Sequence, residues 1–314
     1  MRAAILHNYG GNPTLGEWED PAPSGAAVVL EVLAAALNPV DLRIASGRFY
    51  GGSPRLPYIV GAEGAGRTAD GRVVYFDGAI APYGACAERT LVGESNLLPL
   101  PEGLDPAVGA SLGVAGLAAW LGLEWRGQLR PGEVVLVLGA SGPVGQFALQ
   151  AAKLLGAGRV IAAARDPERL EATRALGADA TVSLGETDHA ALVAAFREAG
   201  GGGVDLVIDP LWGAPAAAAL DACNLGGRLV QLGESAAATA SLSSATVRGR
   251  LLSIIGHTNF AAPHDVKRAA FTRLAEHAAA GRIRVELERM PLDQAAEAWE
   301  RQRRGPGHKL ILVP

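Results

Sequence analysis

An unbroken apolar run, Val134-Val135-Leu136-Val137-Leu138, leads into Gly139-Ala140-Ser141-Gly142-Pro143-Val144-Gly145, and an amphipathic segment follows from Phe147 to Leu155. The run has the pattern of a strand buried on both faces of a parallel sheet. Glycines spaced three apart permit a tight turn and let the backbone approach a pyrophosphate. That group then sits at a helix N-terminus, where free N–H groups and the macrodipole favour negative charge. A glycine trio alone says little, but strand before and helix after are the context it needs. The segment Gly139, Ala140, Ser141, Gly142, Pro143, Val144 and Gly145 is therefore expected to hold a dinucleotide.

The next apolar run, Arg159-Val160-Ile161-Ala162-Ala163-Ala164, ends at Arg165. A carboxylate at this point accepts hydrogen bonds from the adenosine ribose, whereas an arginine suits a 2′-phosphate. Arg169, one helical turn on, is a second cation for the same phosphate. NADPH is the expected cofactor, although the adjacent Asp166 offers a carboxylate that can reach a ribose hydroxyl.

Around this unit the chain divides into three. Residues 1–115 carry short strand-like runs (Ala3–Leu6, Ala27–Leu33, Val73–Phe76, Ala87–Val92) between Gly/Pro clusters, the pattern of an antiparallel, partly barrel-like β domain. In residues 116–256 six strands alternate with helices centred near Ala148, Thr173, Val193 and Ala218, which predicts a doubly wound α/β sheet. Residues 257–314 add two helices and two strands. Of the 314 residues 49% are hydrophobic, enough for two substantial cores, and the net charge of −4 carries no basic footprint for nucleic acid. Residues 1–30 show no secretory leader, and no apolar run of 18 residues is seen, so a cytoplasmic protein without membrane contact is expected. The two cysteines, Cys86 and Cys223, read as reduced, inert thiols.

Several segments in this order resemble the medium-chain dehydrogenase/reductase superfamily, zinc-free quinone oxidoreductase branch. They are Leu37-Asn38-Pro39-Val40-Asp41, Gly61-Ala62-Glu63-Gly64-Ala65-Gly66, Leu100-Pro101-Glu102-Gly103-Leu104, the glycine trio, Leu176-Gly177-Ala178-Asp179, Gly226-Gly227-Arg228 and Lys309-Leu310-Ile311-Leu312. The resemblance implies a GroES-like catalytic domain beside a Rossmann domain. It also places two zinc ligands of the metal-dependent relatives at Asn38 and Ala62. Neither the carboxamide nor the methyl is a soft ligand for zinc, so no metal is expected. Asp41 and Glu63 persist there, with Glu63 readable as a buried structural acceptor.

Without a Lewis acid the substrate must be electrophilic already. A quinone or an α,β-unsaturated carbonyl fits, because positioning then supplies most of the catalysis. Hydrogen-bond donors hold the developing anion. By resemblance these are Asn38 and Tyr50, with Ser46 behind them; a turn residue and a packed aromatic are the plainer readings. His257, after the last sheet strand, is a weaker candidate, and Lys309 reads as an ordinary edge-strand charge. Two other readings stand beside this one. One is a biosynthetic reductase of enoyl thioesters. The other is a non-catalytic dinucleotide binder like the eye-lens and nucleic-acid-binding relatives, which the intact glycine trio and Arg165 disfavour. The apolar run Leu251-Leu252-Ser253-Ile254-Ile255 at a sheet edge, with the resemblance, points to a homodimer.

Overall fold

The computed structural model describes residues 1–185 and 188–314, which divide into two compact units. The first comprises Met1–Val114, Phe271–Gly281 and Val285–Pro314; the second comprises Ala115–Ala270 and Arg282–Arg284. Residues 257–270, grouped by sequence with the C-terminal return, thus pack in the second unit.

The first unit is mainly antiparallel β-structure. Its leading strands are β1 (Arg2–Leu6), β2 (Thr14–Glu17), β3 (Ala27–Ala36), β4 (Tyr58–Ile59), β5 (Glu63–Arg67), β6 (Val73–Asp77), β7 (Arg89–Gly93) and β8 (Leu97–Pro99). Helix α1 (Pro39–Ala45) follows β3, and α2 (Pro106–Ser111) follows β8. Strands β1, β2 and β4 form a small sheet, while β3, β5, β6, β7 and β8 join a larger one. The glycine-rich β5 is a strand because its neighbours leave no room for side chains. A Cβ on Gly64 would lie 2.7 Å from both the Ala34 carbonyl oxygen and the Phe76 ring.

The second unit carries six parallel strands: β9 (Val134–Leu138), β10 (Arg159–Ala164), β11 (Ala180–Ser183), β12 (Val204–Asp209), β13 (Cys223–Gln231) and β14 (Ser253–Gly256). Their order is β11-β10-β9-β12-β13-β14. Chain progression runs outward from β9 in one direction and outward from β12 in the other. Crevices at such a reversal, beyond the carboxyl ends of the strands, are where doubly wound sheets bind ligands. A helical segment, Pro106–Arg126, precedes β9 and includes α2 and α3 (Ala118–Leu121), with wider π turns between and after them. By length and composition it could cross a membrane, which corrects the sequence count of apolar runs, but 78% of its most apolar window is buried within the protein. Helices α4 (Pro143–Leu154), α5 (Pro167–Ala172), α6 (His189–Gly200) and α7 (Gly213–Ala222) make the crossovers. The central strands are dry: Leu136, Leu138, Ile161, Ala163 and Val207 have no exposed surface.

The chain then returns to the first unit as β15 (Leu287–Pro291) and β16 (Lys309–Val313), extending its larger sheet in the order β15-β16-β3-β5-β6-β8. Ile311 and Glu63 both stand opposite Ala36. Since side chains alternate between faces, Asn38, Glu63, Tyr75 and Lys309 share one face of this sheet.

Candidate active site

The turn at the carboxyl edge of the parallel sheet, after β9, is built on glycines. Gly139 turns the chain at the end of β9 with φ +62°, a conformation that favours glycine. Gly145 lies where a Cβ would meet Ala140 Cα and the Gly139 oxygen, each at 2.5 Å, so only glycine lets α4 close onto the turn. Gly142 differs. A Cβ there would touch nothing nearer than the Gly139 oxygen at 3.5 Å, so the protein's own packing does not require glycine. The missing side chain leaves open space over the start of α4, as a close-approaching pyrophosphate needs. Gly142 is also the N-cap of α4 and supplies no side-chain cap, leaving the first-turn N–H groups without one. Gln146 braces the loop by donating from Nε2 to the Ser141 carbonyl at 3.2 Å.

Arg165 is exposed immediately after β10. The carboxylate of Asp166 is the N-cap of α5 and accepts from the backbone N–H groups of Glu168 (3.0 Å) and Arg169 (3.1 Å). It is therefore engaged locally, while Arg165 presents its charge to solvent. Arg169 sits in the first turn of α5, partly buried.

One feature of this edge was not singled out from sequence. Asp209, at the end of β12, is fully buried and accepts from the N–H groups of Leu211 and Trp212, each at 2.9 Å. Its Oδ2 has no partner, and burial pushes the carboxyl up to about 6. This turn holds Trp212 at φ +62°, strained for a non-glycine residue. An Asp-Pro pair closing an apolar run was the available signal. His257, the weaker sequence candidate, follows β14, and its Nε2 meets Asn259 Oδ1 at 2.9 Å.

In the first unit the sheet face gathers a buried polar network. Glu63 is fully buried and Lys309 is 1% exposed, with Lys309 Nζ 3.0 Å from Glu63 Oε1. Lys309 also donates to Asn38 Oδ1. Asn38 Nδ2 donates to Glu63 Oε1 at 2.8 Å and to the Ala36 carbonyl at 3.1 Å. Glu63 Oε2 accepts from Tyr75 Oη at 3.0 Å and from the Val114 N–H at 2.6 Å. A side chain at Gly113 would collide with both Tyr75 Oη and Glu63 Oε2. Asp41 closes the assembly, accepting from the N–H groups of Asn38 (2.7 Å) and Ala62 (2.8 Å). Burial pushes the Asp41 carboxyl up to about 7, against those two donors and with the Glu63 charge adding to the rise.

This geometry revises two readings. Lys309 is no edge charge, because β16 lies between β15 and β3 and the lysine is enclosed with a carboxylate. No local pattern signals that, since an isolated lysine beside an apolar run looks alike on an edge or a central strand. Asn38, expected to face substrate, is 2% exposed, and its carboxamide hydrogens go to Glu63 and Ala36. Tyr50 by contrast is 78% exposed, its ring 4.4 Å from that of Phe49 in the loop after α1. Both thiols are buried, and burial pushes Cys86 well up and Cys223 up to about 12. Among the described residues no three His, Cys, Asp or Glu side chains form a group able to hold a metal.

Comparison with known proteins places these features in a family. Residues 143–276 match the zinc-binding dehydrogenase family model. The chain is 33% identical to the quinone oxidoreductase of Rattus norvegicus over 247 residues, covering 74% of this chain and 73% of that protein. The quinone oxidoreductase of Thermus thermophilus, solved alone and with NADPH, superimposes with a TM-score of 0.81 at 30% identity over the full length of both chains. A mycocerosic acid synthase-like polyketide synthase of Mycobacterium tuberculosis is 29% identical over 219 residues, 68% of this chain but 10% of that protein. The chain belongs to the medium-chain dehydrogenase/reductase superfamily and is a quinone oxidoreductase-like, nicotinamide-dinucleotide-type oxidoreductase in fold.

Proposed function

We propose that the protein is an NADPH-dependent reductase of quinones or α,β-unsaturated carbonyls that works without zinc, as a cytoplasmic homodimer. The observation that carries this reading is the Lys309 ammonium held against Asn38 and Glu63. Where the resemblance puts zinc ligands, this chain has a carboxamide saturated by its neighbours, a methyl group at Ala62 and an internal cation. Neither of those two positions supplies a soft donor, and a substrate must bring its own electrophilicity.

When bound, NADPH supplies the hydride equivalent. Gly139 to Gly145 receive the pyrophosphate at the start of α4, and Arg165 with Arg169 faces the 2′-phosphate while Asp166 stays on its helix cap. Tyr50 Oη donates to the oxygen on which charge develops as the substrate carbon is reduced. Asn38 acts as a positioning residue: it ties the turn before α1 to Glu63 and Lys309 rather than touching substrate. For the dimer, β14 is a sheet-edge strand with Ile254 39% exposed, and Leu251 next to it is 68% exposed. A second copy of the strand covers both the unpaired backbone and the apolar side chains. The partial match to a polyketide synthase favours enoyl thioesters as the second reading.

NADPH oxidation measured across quinones, enones and enoyl thioesters tests the substrate class. Tyr50→Phe should slow enone turnover by roughly ten- to a thousandfold with little change in NADPH affinity, and should affect quinones less. Full rates on both classes would reduce Tyr50 to a packing role.

A further inference from the structure

The surface around the end of α1 is cationic in a protein whose net charge is −4. Between Asp41 and Glu63 the chain has Arg43, Arg48 and Arg55 and no lysine, aspartate or glutamate. Both flanking carboxylates are buried, so the exposed charges of this stretch are all positive. Arg48 and Arg55 are exposed, and neither guanidinium has a hydrogen-bond or ion-pair partner among the described residues.

Local folding sets those two arginines beside the two ends of one aromatic ring. Tyr9 rests on Gly47, where a Cβ would lie 2.9 Å from the ring's Cγ, and Tyr9 Oη donates to the Pro54 carbonyl at 2.6 Å. Arg48 follows Gly47 and Arg55 follows Pro54, so each arginine is next to a residue that touches the tyrosine. The Ser53 hydroxyl donates to the Ile44 carbonyl at 2.6 Å, and the Gly10 N–H donates to the Ala45 carbonyl at 2.8 Å. Both the loop and the Tyr9 segment are thereby tied to the last turn of α1. The ring itself stays 45% exposed. Residues 7–12 bring no acid, and α10 (Ala295–Arg304), which packs on α1, carries Glu297 and Glu300 against Arg301, Arg303 and Arg304.

Two unpaired cations flanking an open aromatic ring match a planar base that carries phosphate groups. Guanidinium groups bind phosphate through paired N–H donors, and an aromatic ring stacks on any base. Quinones and simple enones carry no phosphate. A thioester of coenzyme A carries a phosphorylated adenosine diphosphate. Tyr50 lies on the same loop, between Arg48 and Arg55.

We propose, on the enoyl-thioester reading of the function, that Arg48, Tyr9 and Arg55 dock the phosphorylated adenosine end of an enoyl-coenzyme A substrate. In the reaction the β-carbon takes the hydride of NADPH and the α-carbon takes a proton from water, giving the saturated thioester and NADP+.

Two measurements on the full chain test the site. In the first, coenzyme A is titrated calorimetrically into protein saturated with NADP+, so that the dinucleotide site is filled. Binding should weaken by roughly tenfold or more in the double variant Arg48→Gln, Arg55→Gln, and should fall as salt rises. In the second, crotonyl-coenzyme A is compared with crotonyl-pantetheine, which keeps the thioester and lacks the nucleotide. Unmodified protein should reduce the coenzyme A thioester roughly ten- to a hundredfold more efficiently, through KM, and the double variant should treat the two alike. Coenzyme A binding indifferent to both substitutions, or equal efficiency for the two thioesters in the unmodified protein, overturns the proposal. So does reduction of the same acyl group on an acidic carrier protein without binding of free coenzyme A. If neither thioester is reduced while the arginine-dependent binding remains, the docking site stands and the enoyl-thioester reading fails.

Discussion

Replacing Lys309 with methionine keeps the aliphatic stem and removes one charge from a pair in which neither partner meets water. At 3.0 Å and an effective dielectric near 20, the gross attraction between Lys309 and Glu63 is about 5 kcal/mol, before desolvation is counted. Breaking a buried pair by removing one partner costs about 3–5 kcal/mol, because the other charge stays buried. Here Glu63 keeps three donors, from Asn38, Tyr75 and Val114, which places the expected loss near the lower end, about 3 kcal/mol. With a urea m-value of about 3 kcal/mol/M, that moves the unfolding midpoint down by about 1 M. Adding Glu63→Gln should restore part of the loss, giving a coupling of about 2 kcal/mol in a double-mutant cycle. Urea unfolding followed by circular dichroism reads both quantities, and amide exchange at Val114 reports the network locally. A midpoint shift below about 0.3 M, or strictly additive effects, refutes the reasoning that these charges hold one another.

Arg165→Ala should weaken NADPH binding by roughly ten- to a hundredfold and leave NADH nearly unchanged, since one charge-assisted phosphate contact contributes about 1.5–3 kcal/mol; equal losses for both cofactors in a titration contradict it. The Asp41 carboxyl, pushed up to about 7 in the folded protein from the ordinary 3.8, binds its proton more tightly folded than unfolded. Its contribution to stability is therefore fully present below about pH 4 and is lost as pH rises to about 7, so Asp41→Asn should flatten the fall in stability between about pH 4 and 7 in pH-resolved unfolding. Ile254→Lys, on the exposed edge strand, should convert a dimer into a 32.2 kDa monomer in sedimentation; an unmodified protein already monomeric at micromolar concentration removes the basis for that expectation.

Sequence made the parallel sheet legible because its strands are uninterrupted apolar runs and its glycines stand at fixed intervals. The predicted Val134–Leu138 coincides with β9, and Arg159–Ala164 with β10. In the first unit β5 escaped, since Glu63-Gly64-Ala65-Gly66-Arg67 has neither β-branched residues nor apolar alternation. Its glycines are dictated by neighbours far along the chain, the Ala34 carbonyl and the Phe76 ring, which no local pattern reveals. The buried network was half visible. Asn38, Asp41 and Glu63 stood out through the motifs around them. Lys309 is separated from Glu63 by 246 positions and acquires its meaning only when β16 pairs with β3. The engagement of Asp166 as a helix cap likewise separates it from Arg165, a distinction that sequence left open.

The central claim is that this chain passes a hydride from NADPH to an electron-poor carbon without a metal. Deuterium transfer tests it most directly: protein dialysed exhaustively against a chelator, with zinc counted by elemental analysis, is given NADPH deuterated at nicotinamide C4 and an α,β-unsaturated ketone. Deuterium on the β-carbon of the saturated product, at undiminished turnover and well under one zinc per chain, is the result this account predicts. Turnover that disappears on chelation and returns with one equivalent of zinc, or a product formed without deuterium from the cofactor, contradicts it.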